Sequence, residues 1–169
     1  MSPVTTSRLI LREFTPGDAP HLYALNSNPE VIRYTWDQPF EHVTAAAAFL
    51  AGYTHYHQYG FGRWAVIRQT DDLFLGWCGL NYTPDTDEYD IGFRFFRKHW
   101  GQGYATEAAK ASIDLGFGTF LIPAIIGRSM KVNTASIKVL EKIGLTFYKA
   151  AILHGDEGVI YRIEKPKSD

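Results

Sequence analysis

The segment Arg97-Lys98-His99-Trp100-Gly101-Gln102-Gly103-Tyr104-Ala105-Thr106 constrains the fold more than any other stretch of this 169-residue chain. It joins a strand-like run, Glu88 to Phe96, to a helix predicted from about Tyr104 to Leu115. Two glycines one residue apart before a helix let the backbone approach a ligand closely. The first-turn N–H groups and the helix dipole then face an anion. The same glycines also suit a plain tight turn between strand and helix. Two phosphate-loop alternatives fail on spacing. The chain has no Gly-x-x-x-x-Gly-Lys-Ser/Thr, and the dinucleotide pattern needs a glycine where Thr106 stands.

Elements of both kinds surround this turn. Arg8 to Phe14 is rich in strand formers and ends at Thr15-Pro16-Gly17. Asp18 is placed to cap a helix carrying Leu22 and Leu25, which stops near Asn28-Pro29. A second helix is expected from Glu41 to about Tyr59, closed by Gly60 and Gly62. Arg63 to Arg68, Phe74 to Tyr82 and Glu88 to Phe96 read as strands of an antiparallel meander, with turn sequences between them. The helix after the glycines has a predicted buried stripe of Tyr104, Ala108, Ala111 and Leu115. Ala124 to Ser129 is a strand, and Asn133 caps a helix with Ile137, Leu140 and Ile143 inward, ended by Gly144. Leu145 to Tyr148 and Val159 to Ile163 are the last strands, flanking a turn from His154 to Gly158. The order β-α-α-β-β-β-α-β-α-β-β is an α+β plan with a mixed, mostly antiparallel sheet.

Composition narrows the function. Seventeen basic and eighteen acidic side chains give a formal charge of −1, without the basic footprint of a nucleic-acid binder. The longest apolar run, Ala45 to Ala51, is far short of the roughly 20 residues of a membrane span. Arg8 and Arg12 bracket only three apolar residues, so no signal peptide is expected. A lone Cys78 fits a reducing cytoplasm, and its apolar neighbours make it a small core residue rather than a nucleophile. His55 and His57 lie two apart on a predicted helix and point in different directions, so no metal is expected. One domain spanning residues 1–169 is the expectation.

The chain resembles the GNAT N-acetyltransferases, and within them the branch that acetylates the N-terminal alanine or serine of ribosomal proteins. The resemblance runs through Thr6-Ser7-Arg8-Leu9-Ile10-Leu11-Arg12, Asn28-Pro29-Glu30-Val31, Leu75-Gly76-Trp77-Cys78-Gly79-Leu80 and Asp90-Ile91-Gly92-Phe93. Its most specific parts are Trp100 to Ala108 and Asn133 to Gly144. It implies a splayed central sheet, with acetyl-CoA as co-substrate. Phe93, Arg94 and Phe95 are then expected to hold the pantetheine arm, and Gly101, Gln102, Gly103, Tyr104, Ala105 and Thr106 the pyrophosphate. Lys98 and Lys138 are candidates to meet the CoA phosphates, or are simply solvated. Trp100 is read as a packing residue before a ligand contact, and Glu107 as structural, since a carboxylate there repels phosphate.

Acetyl transfer needs a neutral amine, a donor for the oxyanion and a proton for the departing thiolate. Asp90 and Glu88 share a strand face and are the candidate bases; alternatively, with Asp85 and Asp87, they form an acidic rim that attracts a cationic substrate. The acid in much of the family is a Tyr where this chain has Leu140. The resemblance therefore points to Ser136 as proton donor, with Asn133 orienting the cofactor. Residue chemistry alone makes Asn133 a helix cap and Ser136 a first-turn residue. Tyr34, Trp36, Phe40 and Glu88 are the expected acceptor-binding residues, with the segment Leu153 to Val159 as the opposite wall. An N-terminal α-amine is the expected acceptor. A small-molecule amine and a non-catalytic acyl-CoA-binding module are the alternatives, and a monomer and a homodimer are equally compatible with the sequence.

Overall fold

The computed structural model describes residues 2–167. Among these residues, eight strands form one sheet: β1 (Val4–Thr5), β2 (Leu9–Arg12), β3 (Arg63–Arg68), β4 (Leu73–Thr83), β5 (Glu88–Phe95), β6 (Ala124–Met130), β7 (Thr146–Leu153) and β8 (Asp156–Glu164). Their spatial order is β1-β2-β3-β4-β5-β6-β8-β7, and β5–β6 is the one parallel pair. The helices are α1 (Ala19–Asn26), α2 (Pro29–Ile32), α3 (Val43–Ala51), α4 (His55–Tyr59), α5 (Tyr104–Gly118) and α6 (Thr134–Lys142). Side-chain alternation along β3 builds a core on each sheet face. Trp64 and Val66 pack with residues of α5 and α6, whereas Ala65 and Ile67 pack with α1 and α3. The predicted meander is β3-β4-β5, paired antiparallel throughout.

Several elements differ from the sequence reading, each for a tertiary reason. The helix expected from Glu41 to Tyr59 is two helices broken at Gly52-Tyr53-Thr54. The break brings two tyrosines to one backbone unit: Arg63 N–H donates to Tyr53 Oη at 2.7 Å, and Tyr56 Oη–H donates to the Arg63 carbonyl. Gly60 closes α4 in the left-handed region, but Gly62 caps nothing. Pro29 opens the short α2, where Asn28 Oδ1 accepts the Glu30 N–H at 2.9 Å. Asp18 does not cap α1 with its side chain. Its buried carboxylate accepts from Thr15 N–H at 2.7 Å and from both Arg12 Nη atoms at 2.7 and 2.8 Å. On α5 the buried stripe is Tyr104, Ala108, Ala109, Ser112, Ile113 and Gly116, so Ala111 and Leu115 sit at its margin. The last hairpin is longer than expected, and its turn is only His154-Gly155, both at positive φ as a type I′ hairpin loop requires.

His55 carries a testable pH response. Its Nε2 accepts the Tyr82 N–H at 3.1 Å, which requires a neutral imidazole at that nitrogen. Burial, followed by the Arg63 charge, holds its pKa below the ordinary value. Between the unfolded value near 6.5 and the lower folded one, the unfolded chain binds more protons, so stability rises with pH and is lost on acidification. His55→Phe should cost about 1 kcal/mol at pH 7.5. In urea titrations its gap to wild type should narrow by pH 5; a gap independent of pH would rule out the neutral-acceptor role.

Candidate active site

The parallel pair β5–β6 is in register only at Asp90↔Ile126. Beyond it the strands part, while β5 stays paired to β4 as far as Phe95. The Phe96 N–H donates to the Leu75 carbonyl of β4 at 3.0 Å. Alternation along the strand therefore turns the backbone groups of Phe93 and Phe95 toward the gap left by β6. A cavity of about 680 Å³ opens here. Its walls are Phe93–Phe95 of β5, His99–Gly101 and Gly103–Thr106 of the loop, the face of α6 from Asn133 to Lys142, and residues 30, 31 and 33–35.

The loop forms because Gly101 and Gly103 take left-handed φ values of 71° and 80°, which side chains disfavour. Gly103 is the N-cap of the 15-residue α5 and offers no side chain to it. Among the described residues, the N–H groups of 101 to 106 find no acceptor in the protein. Glu107 ties down the outer side of the loop. Its Oε1 accepts from Thr6 Oγ1, Ser7 Oγ and Arg8 N at 2.6, 3.1 and 2.9 Å, and its Oε2 from Arg8 Nε at 2.7 Å. Burial alone would raise the Glu107 pKa, but these donors outweigh it and keep the carboxylate ionised. Arg8 also donates to the Gln102 carbonyl at 2.9 Å and lies over the Tyr104 ring. Trp100 is 46% exposed rather than a core residue, and its Nε1–H donates to the Phe95 carbonyl at 2.8 Å.

On the facing wall, Asn133 Oδ1 caps α6 by accepting the Ser136 N–H at 3.3 Å. The Ser136 hydroxyl has no partner among the described residues. The helix sits close to β6 because position 127 is glycine: a Cβ there would lie 2.5 Å from Leu140 Cδ2. Lys138 and Lys142 bring positive charge to the rim. His99 is 7% exposed, and its Nε2 is buried without a partner beside the loop. Burial and the neighbouring Lys98 hold its pKa below the ordinary value.

The carboxylates on β5 are engaged elsewhere. Asp90 pairs with Arg63 and accepts from Asn81 at 3.1 Å, and Glu88 pairs with Arg128. Neither lines the cavity. The Arg94 side chain leaves on the face opposite Phe93, donating to Asn26 Oδ1 at 2.7 Å and to Asp37. Tyr34 lines the cavity, whereas Trp36 and Phe40 do not. Trp36, held at a φ of 60°, donates from Nε1 to Asp156 at 2.9 Å and packs on His154 at 5.0 Å, pinning its segment to the last hairpin. Phe40 packs against Phe49.

Residues 8–146 match the family model described as an acetyltransferase (GNAT) domain. The chain belongs to the GNAT acetyltransferases. It is 33% identical over 159 residues to the uncharacterized N-acetyltransferase p20 of Bacillus licheniformis, covering 93% of this chain and 88% of the relative. Two solved structures share the fold at lower identity. One is RimL, the ribosomal L7/L12 α-N-protein acetyltransferase, in complex with coenzyme A, with a TM-score of 0.83, 18% identity and 96% and 98% of the two chains covered. The other is spermidine N-acetyltransferase from Vibrio cholerae with CoA and spermine, with a TM-score of 0.79, 19% identity and 95% and 97% covered. The mostly antiparallel sheet with its flanking helices is thus the GNAT fold.

Within this GNAT site, the cavity brings together Phe93, Arg94, Phe95, Gly101, Gly103, Tyr104, Ala105, Thr106, Asn133, Ser136 and Tyr34 of the expected residues. Lys98, Gln102, Trp36, Phe40, Glu88 and Asp90 lie outside its walls. Lys98 lies near the Phe96 ring, and Gln102 Nε2 donates to the Lys98 carbonyl at 3.0 Å, bracing the loop from outside. Val31, Thr35, His99 and Lys142 were not singled out by sequence. His99 was hidden inside a basic run that reads as solvated, although its place directly before Trp100-Gly101 was the available signal. Cys78 is fully buried and 3.7 Å from Ser112 Oγ, and burial pushes its thiol up to about 12. Native protein should therefore resist a thiol-directed reagent that labels it fully in denaturant. Gly127→Val should push α6 off β6 and weaken CoA binding at least tenfold by calorimetry, while unchanged affinity would sever α6 placement from the site.

Proposed function

We propose that this GNAT enzyme transfers the acetyl group of acetyl-CoA to the α-amine of a protein or peptide N-terminus. The observation that carries the reading is one cavity with unpaired N–H groups of residues 101–106 on one wall and the free Ser136 hydroxyl on the other. Six N–H groups without protein acceptors at a helix N-terminus suit a pyrophosphate. The gap-facing backbone groups of Phe93 suit an amide-bearing arm, which such groups bind as a further strand would. In the reaction the amine nitrogen bonds to the thioester carbonyl carbon, the C–S bond breaks, and the sulfur leaves as thiolate. Ser136 passes a proton to that thiolate and regains one, through water, from the nitrogen that sheds it after attack; Asn133 holds Ser136 at the helix start, and the Phe93 N–H serves the oxyanion.

The paired carboxylates of Asp90 and Glu88 favour loss of the amine proton to water over direct capture by either. An α-amine, with a pKa near 8, is about one-tenth neutral at pH 7, whereas the neutral fraction of a lysine amine near 10.4 is about 200-fold smaller. With both β5 carboxylates already paired, the site suits an α-amine best. Thiol release should be followed with alanine- and serine-started peptides, lysine analogues and polyamines. Ser136→Ala should lower kcat about 10- to 100-fold on peptide acceptors with the affinity for CoA kept. Full activity in that variant would remove Ser136 from the reaction, and preference for polyamines or lysine analogues would reject the α-amine acceptor.

A further inference from the structure

Arg94 is the most confined cation at the cavity, with its side chain only 8% exposed. Asn26 accepts from Nη1, Asp37 accepts from Nη2, and the guanidinium carbon lies 5.3 Å from the centre of the Trp77 ring. These contacts fix the plane of the group and leave one of its three nitrogens without a partner: Nε–H is buried and has no acceptor. Buried donors in folded proteins are nearly always satisfied, so an unmet one beside a cavity calls for a ligand atom. Arg94 lines that cavity next to Tyr34 and Thr35, on the sheet face opposite the loop-side core that holds Phe93 and Phe95. Sequence reasoning placed Arg94 with the cofactor; its side chain instead joins α1 and the segment carrying Tyr34.

We propose that Arg94 is a specificity residue whose Nε–H donates to the carbonyl oxygen adjacent to the reacting amine. The site thereby selects amines that carry a neighbouring carbonyl, as every peptide N-terminus does, over amines that carry none. Asp37 matches the arginine charge, so the group can meet the carbonyl without repelling an ammonium nearby. A polyamine offers no oxygen to this donor and would leave it buried and unpaired, the arrangement by which polar sites reject analogues most strongly. This inference rests on the acetyl-transfer reading given above.

The test compares Ala-Ala amide with sec-butylamine, which keeps the branched amine and lacks the carbonyl. Each amine is its own reference between wild type and variant, so their different basicities cancel. Arg94→Lys keeps a cation but not the Nε–H geometry. It should lower kcat/KM for the peptide amide about 10- to 100-fold and leave sec-butylamine within about twofold. Equal losses on both amines, or no loss on the peptide, would overturn the assignment. If the lysine variant does not fold, Arg94→Gln is read by the same ratio. A wild type that binds CoA yet acetylates neither amine would instead count against the transfer reading. Calorimetric titration of Ala-Ala amide into the CoA-loaded proteins then decides for Arg94: weaker binding in the variant alone supports it, and equal binding overturns it.

Discussion

Everything at this site depends on the place where β5 and β6 stop pairing. A parallel ladder that continued past Asp90 and Ile126 would satisfy the Phe93 backbone inside the sheet and leave no cavity. Because the strands diverge, polar backbone groups remain available at mid-sheet without a loop having to enter the core. The two elements after these strands then complete the enclosure. The turn after β5 leads into α5, the turn after β6 leads into α6, and both helices begin at the opening. This is the position at which open sheets with parallel strands generally collect ligands, outside the carboxyl ends of the strands.

Holding strands apart requires a stiff frame, and charge supplies much of it. Arg63 reaches from β3 to Asp90 on β5, Arg128 reaches from β6 to Glu88, and Trp77 lies between the guanidinium groups of Arg63 and Arg94. Arg128 spans β5 and β6, while the others brace β5 from the β3–β4 side. Half-buried pairs of this kind add little net stability, since desolvation offsets most of the attraction. Their geometric effect is larger, because Arg128 also reaches Asp90 at 3.5 Å and so links the pairs into one network across β3, β5 and β6.

Local chemistry announced some parts of this design and not others. The bounds of β3, β4 and β5 follow from turn residues such as Asp71-Asp72 and Pro84-Asp85, and the two glycines and Asn133 act where backbone preference places them. The break in the helix expected from Glu41 to Tyr59 was not legible, since it is Arg63, beyond the helix altogether, that Tyr53 and Tyr56 turn to meet. The pairing of the β5 carboxylates was hidden for the same reason: their partners lie 27 and 40 residues away in sequence. β7 was underestimated because it is an edge strand exposed along most of its length, without the alternation that marks a half-buried one.

The attachment of the amino end to the loop also bears on how the protein is best handled. Thr6, Ser7 and Arg8 all close on Glu107, so the turn between β1 and β2 lies against the glycine loop. The other end of the chain leaves from Glu164, paired with Ala124 at the start of β6, on the side of the sheet away from the opening. β1 runs back along β2 to bring Val4 beside Leu11, so an affinity tag or fluorescent fusion at either end would start away from the glycine loop.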